Sequence, residues 1–149
     1  MAVLPLALAF GHSERHLYNM SADVAKTEDG RTILVAEDFE DTRRLLCIWL
    51  QKLGYRVVEA RDGEEAVKLT REAHPDLIIM DIEMPRLDGL EATRRIRAQE
   101  GLRDTIILAV SAYGAEQYRA RAIAAGCTEY VSTPFEPGEL KALISKLLA

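Results

Sequence analysis

The stretch Pro75-Asp76-Leu77-Ile78-Ile79-Met80-Asp81 decides the fold. Leu77 to Met80 run without polar alternation, which suits a strand buried on both faces, as in a parallel sheet covered by helices. Such a strand has no cheap place for charge, so Asp81 is tolerated only where the strand surfaces. In open parallel sheets the carboxyl ends of the strands are where ligands bind. Taken alone, Asp81 reads better as a cap on the following turn. Its meaning depends on what the rest of the chain sets beside it.

Upstream, Thr32-Ile33-Leu34-Val35-Ala36 is a second apolar, β-prone run that ends in acid, here Glu37-Asp38. Leu45, Leu46, Trp49, Leu50 and Leu53 then recur at helical spacing until Gly54, a C-terminal stop. Tyr55 to Ala60 mixes valine with charge and predicts a strand nearer the sheet edge. Asp62-Gly63 turns the chain, Ala66, Val67, Leu69 and Ala73 give the next helix a modest apolar face, and Pro75 ends it.

Downstream, Met84-Pro85 and Asp88-Gly89 mark a loop and a turn. Asp88 is a candidate N-cap for a helix through Leu90, Ala92, Ile96 and Ala98, whose Arg94, Arg95 and Arg97 are expected in solvent. Thr105 to Val110 predicts a fourth buried strand that delivers Ser111 and Ala112 at its carboxyl end. A helix over 116–125 stops at Gly126, and Tyr130-Val131-Ser132 is the fifth strand. Pro137 opens a last helix with one apolar stripe, Leu140, Leu143, Ile144, Leu147 and Leu148.

Strands and helices alternating five times predict a doubly wound α/β fold, a five-stranded parallel sheet in the order 2-1-3-4-5. That order makes the first and third strands neighbours and gathers Glu37, Asp38 and Asp81 at one end of the sheet. Three adjacent carboxylates repel one another by kcal/mol even at an effective dielectric near ~20, so the cluster calls for a divalent cation. Mg²⁺ suits it, since that ion takes one or two carboxylates and leaves room for a phosphate oxygen. The pattern points to phosphoryl chemistry.

Composition narrows the field. The chain has 149 residues, 48% of them hydrophobic and 29% charged, enough for one soluble domain and a short extension. A net charge of −5 and a pI near 5.3 argue against a nucleic-acid surface, which needs a basic face. Cys47 and Cys127 lack metal-ligand spacing and read as buried thiols in a reducing compartment, which makes the cytoplasm the expected location. Residues 1–30 read as a flexible N-terminal arm, and 31–149 as the folded domain. Met1 to Phe10 is similar to the apolar part of a signal peptide, with Ala7-Leu8-Ala9 as a cleavage-like site. It has no basic region ahead of it and is too short to span a bilayer, so neither export nor membrane attachment is expected. Met20 offers an alternative start, and His12 with His16 shares a helical face but has no further ligands.

From Thr32 to Ala149 the chain resembles the receiver domain of two-component response regulators, a flavodoxin-like fold. The matching pieces are Glu37-Asp38, Met80-Asp81, Met84-Pro85 with Asp88-Gly89, Ser111-Ala112, and Tyr130 ahead of Pro134-Phe135. The resemblance implies a phosphorelay protein in which Asp81 takes a phosphoryl group from a histidine kinase or a histidine phosphotransfer protein. It further implies Mg²⁺ bound by Asp38 and Asp81 with help from Glu37 and the Glu83 backbone carbonyl. Ser111 would then contact the phosphoryl group and Tyr130 would rotate, relaying the event to an output surface formed by helix four, strand five and helix five. Glu83 and Tyr113 are the positions expected to help set phosphate lifetime. The chain stops after its last helix, so a stand-alone module acting on an unknown protein target is expected.

One departure stands out: the family pattern has a Lys before Pro-Phe, and this chain has Thr133. A hydroxyl donates a hydrogen bond but brings no positive charge. The alternatives are therefore a degenerate receiver that binds a partner without phosphorylation, and a small phosphatase-like enzyme on the same sheet. The short loops offer the latter no lid or second acid, so an enzyme beyond self-directed phosphoryl transfer is not expected.

Overall fold

The computed structural model describes residues 30–112, 114 and 116–149. The readings made for the N-terminal arm, its histidines and Tyr113 lie outside them. Five strands and five helices alternate strictly: β1 (Thr32–Ala36), α1 (Glu40–Lys52), β2 (Arg56–Ala60), α2 (Gly63–Ala73), β3 (Leu77–Asp81), α3 (Gly89–Ala98), β4 (Ile106–Ser111), α4 (Glu116–Ala125), β5 (Glu129–Ser132) and α5 (Pro137–Leu148). The sheet is parallel throughout, in the order β2-β1-β3-β4-β5. This is the doubly wound, flavodoxin-like arrangement that the alternation predicts, with β2 on the edge.

β3, apolar from Leu77 to Met80, is the central strand, and all five of its residues, Asp81 included, are buried. Alternate strand residues feed two cores. Ile33, Val35, Leu77, Ile79, Leu108 and Val110 pack with Leu46, Trp49 and Leu50 of α1 and Leu140, Ile144 and Leu148 of α5. On the other face Leu34, Ala36, Ile78, Met80, Ile107 and Ala109 meet Ala66 of α2, Leu90, Ala92 and Ile96 of α3, and Ala122 of α4. Each fully buried Leu or Ile contributes about 1.5–3 kcal/mol, so the two cores, rather than surface ion pairs, fix the strand register.

The helices begin and end where local chemistry requires. Asp62 and Asp88 cap α2 and α3 by accepting from the backbone N–H of Glu65 and Glu91 at 2.8 and 2.9 Å. Gly54 closes the turn after α1 at a φ of 97°, and His74 takes the left-handed position after α2. Two details differ from the sequence reading. Ala73 and Ala98 are exposed at their helix ends, where the last turn runs past the sheet. Arg97 does not extend into solvent: its Nε donates to the Gly126 carbonyl at 2.9 Å and its Nη1 to that of Arg103 at 3.1 Å. It thereby satisfies carbonyls at two chain reversals, a role invisible to helical periodicity. Among the described residues no helix is long and apolar enough to cross a membrane.

Candidate functional site

The carboxyl ends of β1, β3 and β4 bring the predicted acids and hydroxyl together. Glu37, Asp38 and Asp81 each offer a carboxylate oxygen within 4.8 Å of the others. β1 and β3 are neighbours, with Ala36 opposite Met80, so the residues that follow each partner share one end of the sheet.

Glu37 is buried, 1% exposed, and pinned at three points. Its N–H donates to Ala60 O, its Oε1 accepts from Phe39 N, and its carbonyl accepts from Arg43 Nη1, each at 3.0 Å. Asp81 Oδ1 accepts from the Glu83 amide at 3.1 Å. Gly89 secures the same strand end, for its N–H donates to Ile82 O at 2.9 Å and a Cβ there would lie only 2.2 Å from Asp81 O. Only glycine allows α3 to start this close to the acid.

Burial pushes the carboxyl of Glu37 well above its usual range, and the neighbouring Asp81 carboxylate adds to it. Burial raises Asp81 as well, and repulsion from Asp38 and Glu83 adds to it, against the hydrogen bonds from Glu37 and the Glu83 amide. Two buried oxygens, Glu37 Oε2 and Asp38 Oδ1, have no hydrogen-bond partner among the described residues. A set of hard carboxylate oxygens with unsatisfied lone pairs fits a hard divalent cation such as Mg²⁺. Asp38 also lines an open polar cleft of about 600 Å³ with Glu40, Arg43, Glu59, Arg61 and Glu65, which gives the acid cluster access from solvent.

The β4 side supplies the hydroxyls. Ser111 is 2% exposed, its Oγ donates to Glu83 Oε1 at 2.9 Å, and Tyr130 of β5 hydrogen-bonds to it. Tyr130, paired with Ala109 in the sheet, is 6% exposed. Ala112 follows Ser111 and is partly exposed. Thr133, past the end of β5, donates its backbone N–H to Ser111 O at 2.8 Å, and its peptide bond to Pro134 is cis.

The Glu83 side chain, at a position the resemblance linked to phosphate lifetime, faces Ser111. One participant escaped the sequence reading. Arg43 is 8% exposed and ties Glu37 O to Glu59 Oε1, the latter at 3.4 Å. A signal for Arg43 was present, since it precedes Leu46 and Leu50 by three and seven positions and so lies on the buried stripe of α1.

Comparison with known proteins settles the family. The response regulator receiver domain model matches residues 33–145. The chain belongs to the response regulator receiver family. Over 118 residues this receiver domain is 38% identical to a probable transcriptional regulator, ycf27, of Cyanophora paradoxa, covering 79% of this chain but 48% of that protein. The chain thus spans about half the length of that relative. It is 36% identical to the polar-differentiation response regulator DivK of Brucella ovis, over 70% of this chain and 85% of DivK. The receiver domain of the sensor histidine kinase PA1611 from Pseudomonas aeruginosa, solved with a magnesium ion coordinated in the active site cleft, superposes with a TM-score of 0.74 at 36% identity, covering 80% of this chain and 98% of that one.

Proposed function

We propose that this receiver domain accepts a phosphoryl group on Asp81 in a Mg²⁺-dependent step of a two-component phosphorelay. The observation that carries this reading is the convergence of Glu37, Asp38 and Asp81 within 4.8 Å at the end of a buried sheet, beside the Ser111 hydroxyl. Asp38 and Asp81 would hold the cation with the Glu83 backbone carbonyl, and Glu37 would support them. When bound, Mg²⁺ supplies positive charge against which a carboxylate can approach a phosphoryl group. The Asp81 carboxylate oxygen attacks phosphorus, the P–N bond of a donor phosphohistidine breaks, and the imidazole leaves with its electron pair. The donor is accordingly a histidine kinase or a histidine phosphotransfer protein. Ser111 and the Thr133 backbone orient the acceptor end of β4.

The output surface in this reading is the α4-β5-α5 face, reached through Tyr130. Residues 31–149 form the signalling unit, located in the cytoplasm and directed to a protein target, not to nucleic acid or a membrane. Thr133 favours a second reading, in which the domain binds its partner without phosphorylation. The Mg²⁺ affinity of the parent and of Asp38→Ala, measured by calorimetry, tests the metal site; equal affinities would contradict it. Phosphorylation compared between the parent and Thr133→Lys separates the two readings. Incorporation in both supports a working acceptor, and incorporation only after Thr133→Lys supports the degenerate one.

A further inference from the structure

We propose that the Glu83 carboxylate is an internal anion that holds Ser111 and Tyr130 turned in before any phosphoryl group is attached, so that phosphorylation must displace it. The inference rests on Asp81 being the acceptor, and one arm of its test does not.

The geometry is a chain of three contacts. The Glu83 amide donates to Asp81 Oδ1 at 3.1 Å, which fixes the residue-83 backbone against the acceptor carboxylate. From that anchor the side chain reaches β4, where Ser111 Oγ donates to Glu83 Oε1 at 2.9 Å. A serine hydroxyl has one proton, and it is committed to Glu83. Ser111 also hydrogen-bonds the Tyr130 phenol, so one hydroxyl links Glu83 to the strand-five ring. The phenol is thereby tied to the end of β4, and Tyr130 is only 6% exposed.

A carboxylate in this position does what a phosphoryl oxygen on Asp81 would do: it is an anionic acceptor for the Ser111 proton. It also repels an incoming phosphoryl group, because like charges in a partly buried site interact strongly. The usual counterweight, a cation just before Pro134, is a threonine here. Glu83 has somewhere to go, since it lines a cavity of about 220 Å³ with Ile82, Asp88, Leu90, Tyr118 and Arg121. Arg121 sits 5.8 Å from the Tyr118 ring centroid and gives the released carboxylate a cation to face.

Two variants test the latch in the otherwise intact chain. Glu83→Gln keeps an oxygen acceptor for Ser111 but removes the charge, and Glu83→Ala removes both; the backbone amide and carbonyl of residue 83 remain in each. Ring resonances of Tyr130, assigned by difference with Tyr130→Phe, are recorded in metal-free protein without phosphodonor. The expected result is a Tyr130 signal displaced toward solvent-exposed values in Glu83→Ala and Ser111→Ala, and near the parent in Glu83→Gln. A Tyr130 signal unchanged in Glu83→Ala would overturn the proposal, whether or not Asp81 is ever phosphorylated. With Mg²⁺ and acetyl phosphate, Glu83→Gln is expected to be phosphorylated about tenfold faster than the parent, the rate gained by removing one opposing charge. An equal or slower rate in Glu83→Gln, in a parent that does incorporate phosphate, would also overturn it.

Discussion

Replacing Gly89 by alanine tests how tightly the backbone holds the acid cluster. A Cβ at residue 89 would meet Asp81 O at 2.2 Å and Ile82 Cα at 2.8 Å. Both neighbours are backbone atoms of the strand end and the loop leaving it, so no side chain can rotate away. The contact is about 1 Å short of ordinary van der Waals separation, and relief requires α3 to back off from β3. Overpacking of this kind typically costs about 1–3 kcal/mol, and here the upper end applies because Leu90, Ala92 and Ile96 of α3 must move with it. For a domain of this size that is about 10 °C in Tm. Gly138 is the control: it lies in the first turn of α5 with open space where its Cβ would be. Gly138→Ala should be stabilising, by up to about 0.5–1 kcal/mol. Urea and thermal unfolding of both variants provide the measurement. Gly89→Ala within about 0.5 kcal/mol of the parent would refute the claim that helix start and acceptor strand are locked together.

Arg43→Met leaves the Glu37 carbonyl and Glu59 without their buried donor and should cost about 1.5–3 kcal/mol of stability while weakening Mg²⁺ binding; calorimetry showing undiminished Mg²⁺ affinity would remove Arg43 from the support of the site. Burial, with Glu59 beside it, pushes the Cys47 thiol up to about 12, and burial raises Cys127 too, so both should react with a thiol reagent only slowly until denaturant is added. Rapid stoichiometric labelling of the native protein would contradict that burial. Glu37 and Asp81 have folded pKa values raised above their unfolded ones, so the folded chain binds more protons between those limits. Their contribution without metal is fully present below a pH of about 4 and is lost as pH rises through the folded values. Unfolding midpoints in chelator should therefore fall from about pH 5 to about pH 8, and saturating Mg²⁺ should counter the fall; a flat profile in chelator would mean the acids are not held together.

Much of this molecule was legible because its signals are local. The unbroken apolar run from Leu77 to Met80 has no stable placement except a two-sided core, and the Asp-Gly pairs at 62–63 and 88–89 mark helix starts wherever they are read. The acidic ends of β1 and β3 followed from strand order alone, since that order makes them neighbours. Contacts made by long side chains across elements were not legible. Arg97 reaches a carbonyl 29 residues away in sequence, and Ser111 finds Glu83 at a separation of 28. No periodicity encodes such a pairing, because it depends on how two loops end over the same sheet edge. The depth of Tyr130 was not legible either, because a four-residue strand gives few clues until β4 is placed beside it.

The central claim is that Asp81 is a phosphoryl acceptor, and intact-mass measurement of the parent and Asp81→Asn tests it most directly. Both are incubated with Mg²⁺ and acetyl phosphate, with a chelator control. The account predicts the added mass of one phosphoryl group in the parent with Mg²⁺, none with chelator, and none in Asp81→Asn. An unmodified parent, or equal addition to Asp81→Asn, would contradict it.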